Sequence, residues 1–166
     1  MTWRYVQTFG EPPSYRDFHS AVAVHERMYI FGGRGDRHSP YHSQDEIYNS
    51  DIVYLDLKTM TWHMPRTTGT VPLGRRSHST FVYKNLIYVF GGYNGIHDQH
   101  FNDMYSFDPE RNVWRLLESR GEVPCARRRH VCLVIGTKLY LFGGTRLEIR
   151  SMTTPNIISR PLNNTG

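Results

Sequence analysis

Cysteine is nearly absent: Cys125 and Cys132 are the only two in 166 residues. Seven positions apart, they suggest no disulfide framework, and a reducing cytoplasmic or nuclear setting is expected. Long apolar runs are missing too, and none approaches the ~18 residues that a membrane helix needs. Met1-Thr2-Trp3-Arg4-Tyr5 leads into polar residues and Pro12-Pro13 rather than the apolar core of a secretory leader. The glycine patterns that cradle phosphates or dinucleotides, the nucleophile elbow and zinc-ligand spacing do not occur. No enzymatic activity, cofactor or metal is therefore expected. Negative charge is in deficit, with 15 acidic against 20 basic residues and a formal charge of +5. That balance favours anionic partners without naming one.

Aromatic residues, by contrast, make up 13%, with 14 glycines and 9 prolines. Such a composition suits a turn-rich β protein. Three segments align without a gap: RDFHSAVAVHERMYIFGG (16–33), RRSHSTFVYKNLIYVFGG (75–92) and RRRHVCLVIGTKLYLFGG (127–144). A tryptophan stands thirty positions before the second glycine of each: Trp3, Trp62 and Trp114. Pro13, Pro72 and Pro124 coincide, as do Arg16, Arg75 and Arg127, then His19, His78 and His130, then Tyr29, Tyr88 and Tyr140. A repeat of this length means a stack of like supersecondary units.

Within each unit two near-continuous apolar runs flank a tight turn at His25-Glu26, Lys84-Asn85 or Gly136-Thr137. A third strand is expected over 51–56 and a fourth from each tryptophan. DIVYLDLKTMTW (51–62) matches DMYSFDPERNVW (103–114), so the seven extra residues of the first unit lie in a loop after Gly33. Four strands in about fifty residues make one blade of a β-propeller.

Arg-x-x-His, Tyr-x-Phe-Gly-Gly, Asp and Trp in this order resemble the kelch-repeat family. RDFHSA, FGGRGDRHSPYHSQDEIY, GRRSHS and the tail SMTTPNIISRPLNN resemble one group within it, the substrate receptors of cullin-2 ubiquitin ligases. The resemblance implies six blades, whereas this sequence holds strands for two full blades with partial ones on each side. An all-β, incomplete kelch propeller is expected over residues 1–144, with an irregular tail over 145–166. The family's apolar elongin- and cullin-binding helix is not matched, so this chain is not expected to recruit elongin B/C or cullin-2 by itself. Its open strand edges invite self-association.

Columns identical in all repeats serve the blade, and columns that differ are candidates for a site. Asp17/Arg76/Arg128 and Phe18/Ser77/Arg129 differ, and they fall in the loops before each first strand. In an up-down blade these loops open on the same face as the loop after Gly33, which holds Arg34, Asp36 and Arg37. Guanidinium groups gathered there suit a carboxylate or phosphate. The resemblance implies a mouth that binds the C-terminus of a protein, commonly one ending in glycine. It places Arg34, Arg37, Arg76 and Ser77 on the terminal carboxylate. Asp17, Phe18, Asp36, Arg128 and Arg129 would then contact the preceding side chains. Gly166, at the end of a polar segment, is a candidate occupant of the same mouth. A chromatin-associated protein or a general interaction scaffold is the alternative. Nucleic-acid binding is disfavoured, because few aromatics are interleaved with the arginines.

Overall fold

The computed structural model describes residues 1–38 and 44–146, and the backbone of 158–161. Its described elements are all strands, in line with the all-β incomplete propeller expected from the repeats. Blade one is a four-stranded sheet of β1 (Ser20–Val24), β2 (Arg27–Phe31), β5 (Ile52–Asp56) and β6 (Thr61–His63), in that order. A separate ribbon of β3 (Arg34–Asp36) and β4 (Glu46–Tyr48) extends its central hairpin. The residues extra to the first repeat thus begin and end as paired strand.

Blade two runs β8 (Ser79–Tyr83), β9 (Leu86–Asn94), β10 (Gln99–Asp108) and β11 (Val113–Leu117). A short β7 (Thr68–Gly69) adds to β11 in parallel. Blade three has β12 (Arg127–Ile135) and β13 (Lys138–Arg146), and β14 (Ile158–Pro161) pairs antiparallel with β13. The expected tail therefore contributes a strand. The outer side of β13 offers unpaired N–H and C=O groups, and an extended segment satisfies them. At the inner hairpins His25, Lys84 and Gly136 all take the left-handed backbone expected of those turns (φ 53°, 48° and 61°).

The parallel addition rests on glycines that comparison of the repeats had passed over. Gly10, Gly69 and Gly121 each stand three residues before the matched proline and share φ between 74° and 84°. A Cβ on Gly69 would lie 2.1 Å from the Trp114 carbonyl oxygen, and one on Gly10 would lie 2.7 Å from that of Trp62. Only glycine lets the backbone pass there.

Blades stack through alternate residues of their inner strands. Ser79 and Phe81 look toward blade three, where the Ser79 hydroxyl donates to the His130 carbonyl and Phe81 packs with Cys132, Leu139 and Leu141. Thr80 and Val82 look toward blade one, where Thr80 donates to the Ser20 hydroxyl. The matched histidines lock the stack. The His78 ring meets Phe31 edge-on at 5.3 Å, its Nε2 lies 2.6 Å from the Ser20 hydroxyl, and a Cβ on Gly32 would lie 2.6 Å from its Cε1. His130 repeats this on Phe90 and Gly91, at 5.4 Å and 2.7 Å. Burial, with Arg75 beside His78 and Arg127 beside His130, lowers these imidazoles to about 3 and about 4.

Two of the matched aromatic and histidine columns lose a member at the start of the chain. Trp114 is 1% exposed, packed on Phe31 and Phe107, but Trp3 is 99% exposed and lies in no strand. The expectation that it packs a blade as Trp114 does is not met: no described strand lies beside Trp3 to pair with it. His19 is exposed, with no Phe-Gly-Gly beneath it among the described residues of the kind that carries His78 and His130.

Candidate functional site: an arginine and aromatic mouth

The loops before each first strand and the segments after each double glycine meet, as the up-down geometry requires. Asp17 and Arg34 exchange backbone hydrogen bonds at 2.9 Å, and Arg76 and Tyr93 do so at 2.9 and 3.0 Å. Arg128 faces Thr145 in the same way on the β12–β13 ladder. The next column links blade to blade. Ser77 N–H donates to the Phe18 carbonyl at 2.9 Å, and Arg129 N–H donates to the Ser77 carbonyl at 2.8 Å. All three of these residues are left-handed, with φ of 55°, 55° and 60°. Non-glycine residues rarely adopt that backbone, and here cross-blade hydrogen bonds hold it. The columns that differ between repeats thus share one rim, with its backbone held in place.

Neighbouring arginines in this rim have opposite environments. Arg16 and Arg75 are structural. Arg75 is fully buried, donates to Asp103 at 2.5 and 3.0 Å and to the Gly91 carbonyl at 3.0 Å, and stacks on Phe101. Arg16 copies this with Asp51 and the Gly32 carbonyl. Arg127 keeps the Gly143 carbonyl at 3.0 Å but has no third-strand aspartate among the described residues. One residue further on, Arg76 and Arg128 have no carboxylate partner among the described residues. Their guanidinium carbons lie over aromatic rings: Arg76 over Tyr93 at 5.4 Å, Phe18 at 5.5 Å and Tyr48 at 6.0 Å, and Arg128 over Tyr93 at 4.4 Å. Cation–π contact orients a guanidinium without neutralising it. Two positive groups on one tyrosine leave a field that an anion would satisfy.

The remaining candidates are placed as follows. Arg34 pairs with Glu46 at 2.9 Å, and Glu46 also accepts from the Tyr48 hydroxyl at 2.7 Å. Burial first, then that bond to Glu46, pushes Tyr48 up to about 12. Asp36 lies on β3, where its carboxylate accepts from the His38 N–H at 2.8 Å. Arg37 is exposed just after β3, where its N–H donates to the Asp45 carbonyl at 3.1 Å. Phe18 touches Arg76, Ser77 is half-buried beside it, and Arg129 is exposed on the rim. The structure therefore gathers Asp17, Phe18, Arg34, Arg76, Ser77 and Arg128, with Arg37 just beyond β3 on the ribbon that continues from Arg34. Gly166 lies outside the described residues.

Tyr48, Tyr93 and His100 were not anticipated. Tyr93 follows the second double glycine, in the same column as Arg34 and Thr145, and that column varies in the way that singled out the arginines. His100 packs on Tyr93 at 4.6 Å, across from it on the β9–β10 ladder. Burial, with Arg128 nearby, lowers its pKa, while Asp98 opposes the shift and accepts from the Tyr93 hydroxyl at 2.8 Å. The rim thus carries more aromatics among its arginines than expected. Among the described residues no group of three His, Cys, Asp or Glu side chains could hold a metal ion, and no helix is long and apolar enough to cross a membrane.

Residues 1–144 match the family model described as the KLHDC2/KLHL20/DRC7 kelch-repeats domain. Kelch domain-containing protein 3 of Homo sapiens is 46% identical over 145 residues, covering 87% of this chain and 38% of that protein. Rho GTPase-activating protein gacHH of Dictyostelium discoideum is 33% identical over 82% of this chain and 9% of its own. Acyl-CoA-binding domain-containing protein 5 of Arabidopsis thaliana is 31% identical over 86% of this chain and 21% of its own. The chain spans about two fifths of the first of these, and smaller shares of the others. Kelch repeats of this kind form protein-interaction modules. With the blades and their repeated residues as described, the chain belongs to the kelch-repeat family.

Proposed function

We propose that the rim is a receptor for the free C-terminus of a protein, and that the chain contributes substrate recognition to a cullin-2 RING ubiquitin ligase. The observation that carries this reading is the pair Arg76 and Arg128, oriented by Tyr93, Phe18 and Tyr48 and without a carboxylate partner among the described residues. A terminal carboxylate is planar, compact and singly charged, and two guanidinium groups can clasp it bidentately. Glycine as the last residue suits a rim this crowded with rings, since it adds no side chain. Arg34, held by Glu46, would join the clasp by exchanging partners, and Ser77 would add a hydroxyl. Asp17 and Asp36 would favour a basic residue upstream. Arg37, exposed just after β3, would bring a further guanidinium to the carboxylate. Elongin B/C and cullin-2 would be recruited through segments that this sequence does not match.

The interleaved rings also suit stacked bases, so a nucleic-acid or chromatin partner is the second reading. A library of random peptide C-termini, displayed free and bound by the purified chain, tests the first. Enrichment of terminal glycine supports it. Enrichment of internal motifs regardless of the last residue counts against it. Binding to single-stranded nucleic acid that falls steeply with salt would favour the second reading.

A further inference from the structure

The two hairpins on the rim carry a carboxylate in the same place and use it differently. In blade one, Arg34 faces Tyr48 across the β3–β4 ladder, and Glu46 stands two residues before Tyr48. In blade two, Tyr93 faces His100 across the β9–β10 ladder, and Asp98 stands two residues before His100. Each carboxylate accepts from the tyrosine hydroxyl of its own hairpin, Glu46 at 2.7 Å and Asp98 at 2.8 Å. Among the described residues, only Glu46 of the two also pairs with an arginine, its Oε1 lying 2.9 Å from Arg34 Nη2. Its other oxygen is seated against blade two: a Cβ on Gly95 would lie 3.0 Å from Glu46 Oε2 and 2.5 Å from the Tyr48 hydroxyl. The Tyr48 ring in turn lies beneath Arg76, 6.0 Å from its guanidinium carbon. Glu46 thus brings a carboxylate of the chain itself into the cluster of arginines.

We infer that Glu46 is a built-in competitor, which occupies Arg34 until the terminal carboxylate of a bound chain displaces it. The inference rests on the reading of the rim as a carboxylate receptor. Resident and incoming groups are chemically alike, each a planar, singly charged carboxylate on a guanidinium. The pair is open to exchange, with 14% of the Arg34 side chain and 27% of the Glu46 side chain exposed. A partly exposed ion pair contributes little, so a ligand carboxylate can replace it at small cost. Glu46 is not stranded when it lets go, because the Tyr48 hydroxyl still donates to Oε2. Asp98 has no such role: in the equivalent place it holds a tyrosine hydroxyl and no arginine. The residues extra to the first repeat therefore do more than lengthen a loop. They return the chain to Arg34 with an anion, and that anion sets how strongly a ligand must bind to enter.

Fluorescence anisotropy on the full 166-residue chain tests this. The probe is a pool of labelled peptides randomised upstream of a terminal glycine, with the end either free or amidated. Glu46→Gln keeps the shape of the side chain and removes its charge. It should bind the free-ended pool about threefold more tightly than the parent does, the worth of a partly exposed ion pair. Glu46→Ala should show the same gain, so the result does not hang on one substitution, and far-UV circular dichroism melts check that each variant folds. Asp98→Asn removes an equal charge from the equivalent place and should give no such gain. In an Arg34→Ala background, Glu46→Gln should have no effect, since there is no arginine left to release. A parent that prefers the free end, with Glu46 variants that bind no more tightly, would overturn this inference alone. A matching gain from Asp98→Asn, or a gain that persists without Arg34, would overturn it too, since either reduces the effect to a general field. A parent that binds neither pool, or both equally, would overturn the carboxylate reading and this inference with it.

Discussion

Arg75 and Arg76 are adjacent in sequence and opposite in role. Arg75 has no exposed side-chain surface and compensates Asp103. Its truncation, Arg75→Ala, should lower stability by about 3 kcal/mol, because it strands a partly buried carboxylate and two carbonyls. Arg76→Ala removes a guanidinium whose described contacts are rings, and should change stability by about 0.5 kcal/mol or less. Peptide binding should show the reverse ranking where the fold survives. Urea titrations of the two variants check the first half, and equal midpoints would contradict it. His78 and His130 make stability depend on pH. Their folded values, about 3 and about 4, lie below the ordinary 6.5, so the unfolded chain binds more protons between these limits. Stability is thus full above pH 6.5 and falls as the pH drops below it, by up to about 1.4 kcal/mol per pH unit for each histidine. Urea midpoints should fall between pH 7 and pH 5, and His78→Gln should flatten the slope.

At the scale of strands and turns, the double glycines report whether a following blade is present. Gly32, Gly91 and Gly143 share φ of 66–68°, so an alanine at any of them pays the same left-handed penalty of about 1–2 kcal/mol. Gly91→Ala also drives a Cβ to 2.7 Å from the His130 ring and 2.8 Å from the Arg127 carbonyl, while Gly143→Ala meets nothing. Thermal melts should therefore show Gly91→Ala less stable than Gly143→Ala by a further 1–3 kcal/mol or so. Equal losses would mean that the blades do not stack as described. This scale is also where the sequence was easiest to read. Matched His, Gly-Gly and Trp columns mark contacts that every blade repeats, so three copies reveal them. The outer strand carried by Gly10 and Gly69 was harder, since its pairing is parallel and only two or three residues long. β14 was illegible, because it answers to the bare side of β13 and not to any repeat. In the rim, column variation found Arg76 and Arg128. It could not show that Glu46, thirteen residues beyond the double glycine on an extended ribbon, returns to pair with Arg34.

As a whole the molecule is an open row of blades with a cationic rim across it. Blade-to-blade hydrogen bonds through Phe18, Ser77 and Arg129 tie the rim to the stack, so anything that loosens the stack should loosen binding as well. The claim that this rim reads a terminal carboxylate is tested most directly by isothermal titration of one glycine-ending peptide, selected on the chain, in its free and amidated forms. The titrations are run with the parent chain and with a variant carrying both Arg76→Ala and Arg128→Ala. Amidation should weaken binding to the parent by about 2 kcal/mol or more, since it removes a charge-assisted pair. The double variant should bind both forms equally weakly. Equal affinity of the parent for the free and amidated peptides would contradict the account.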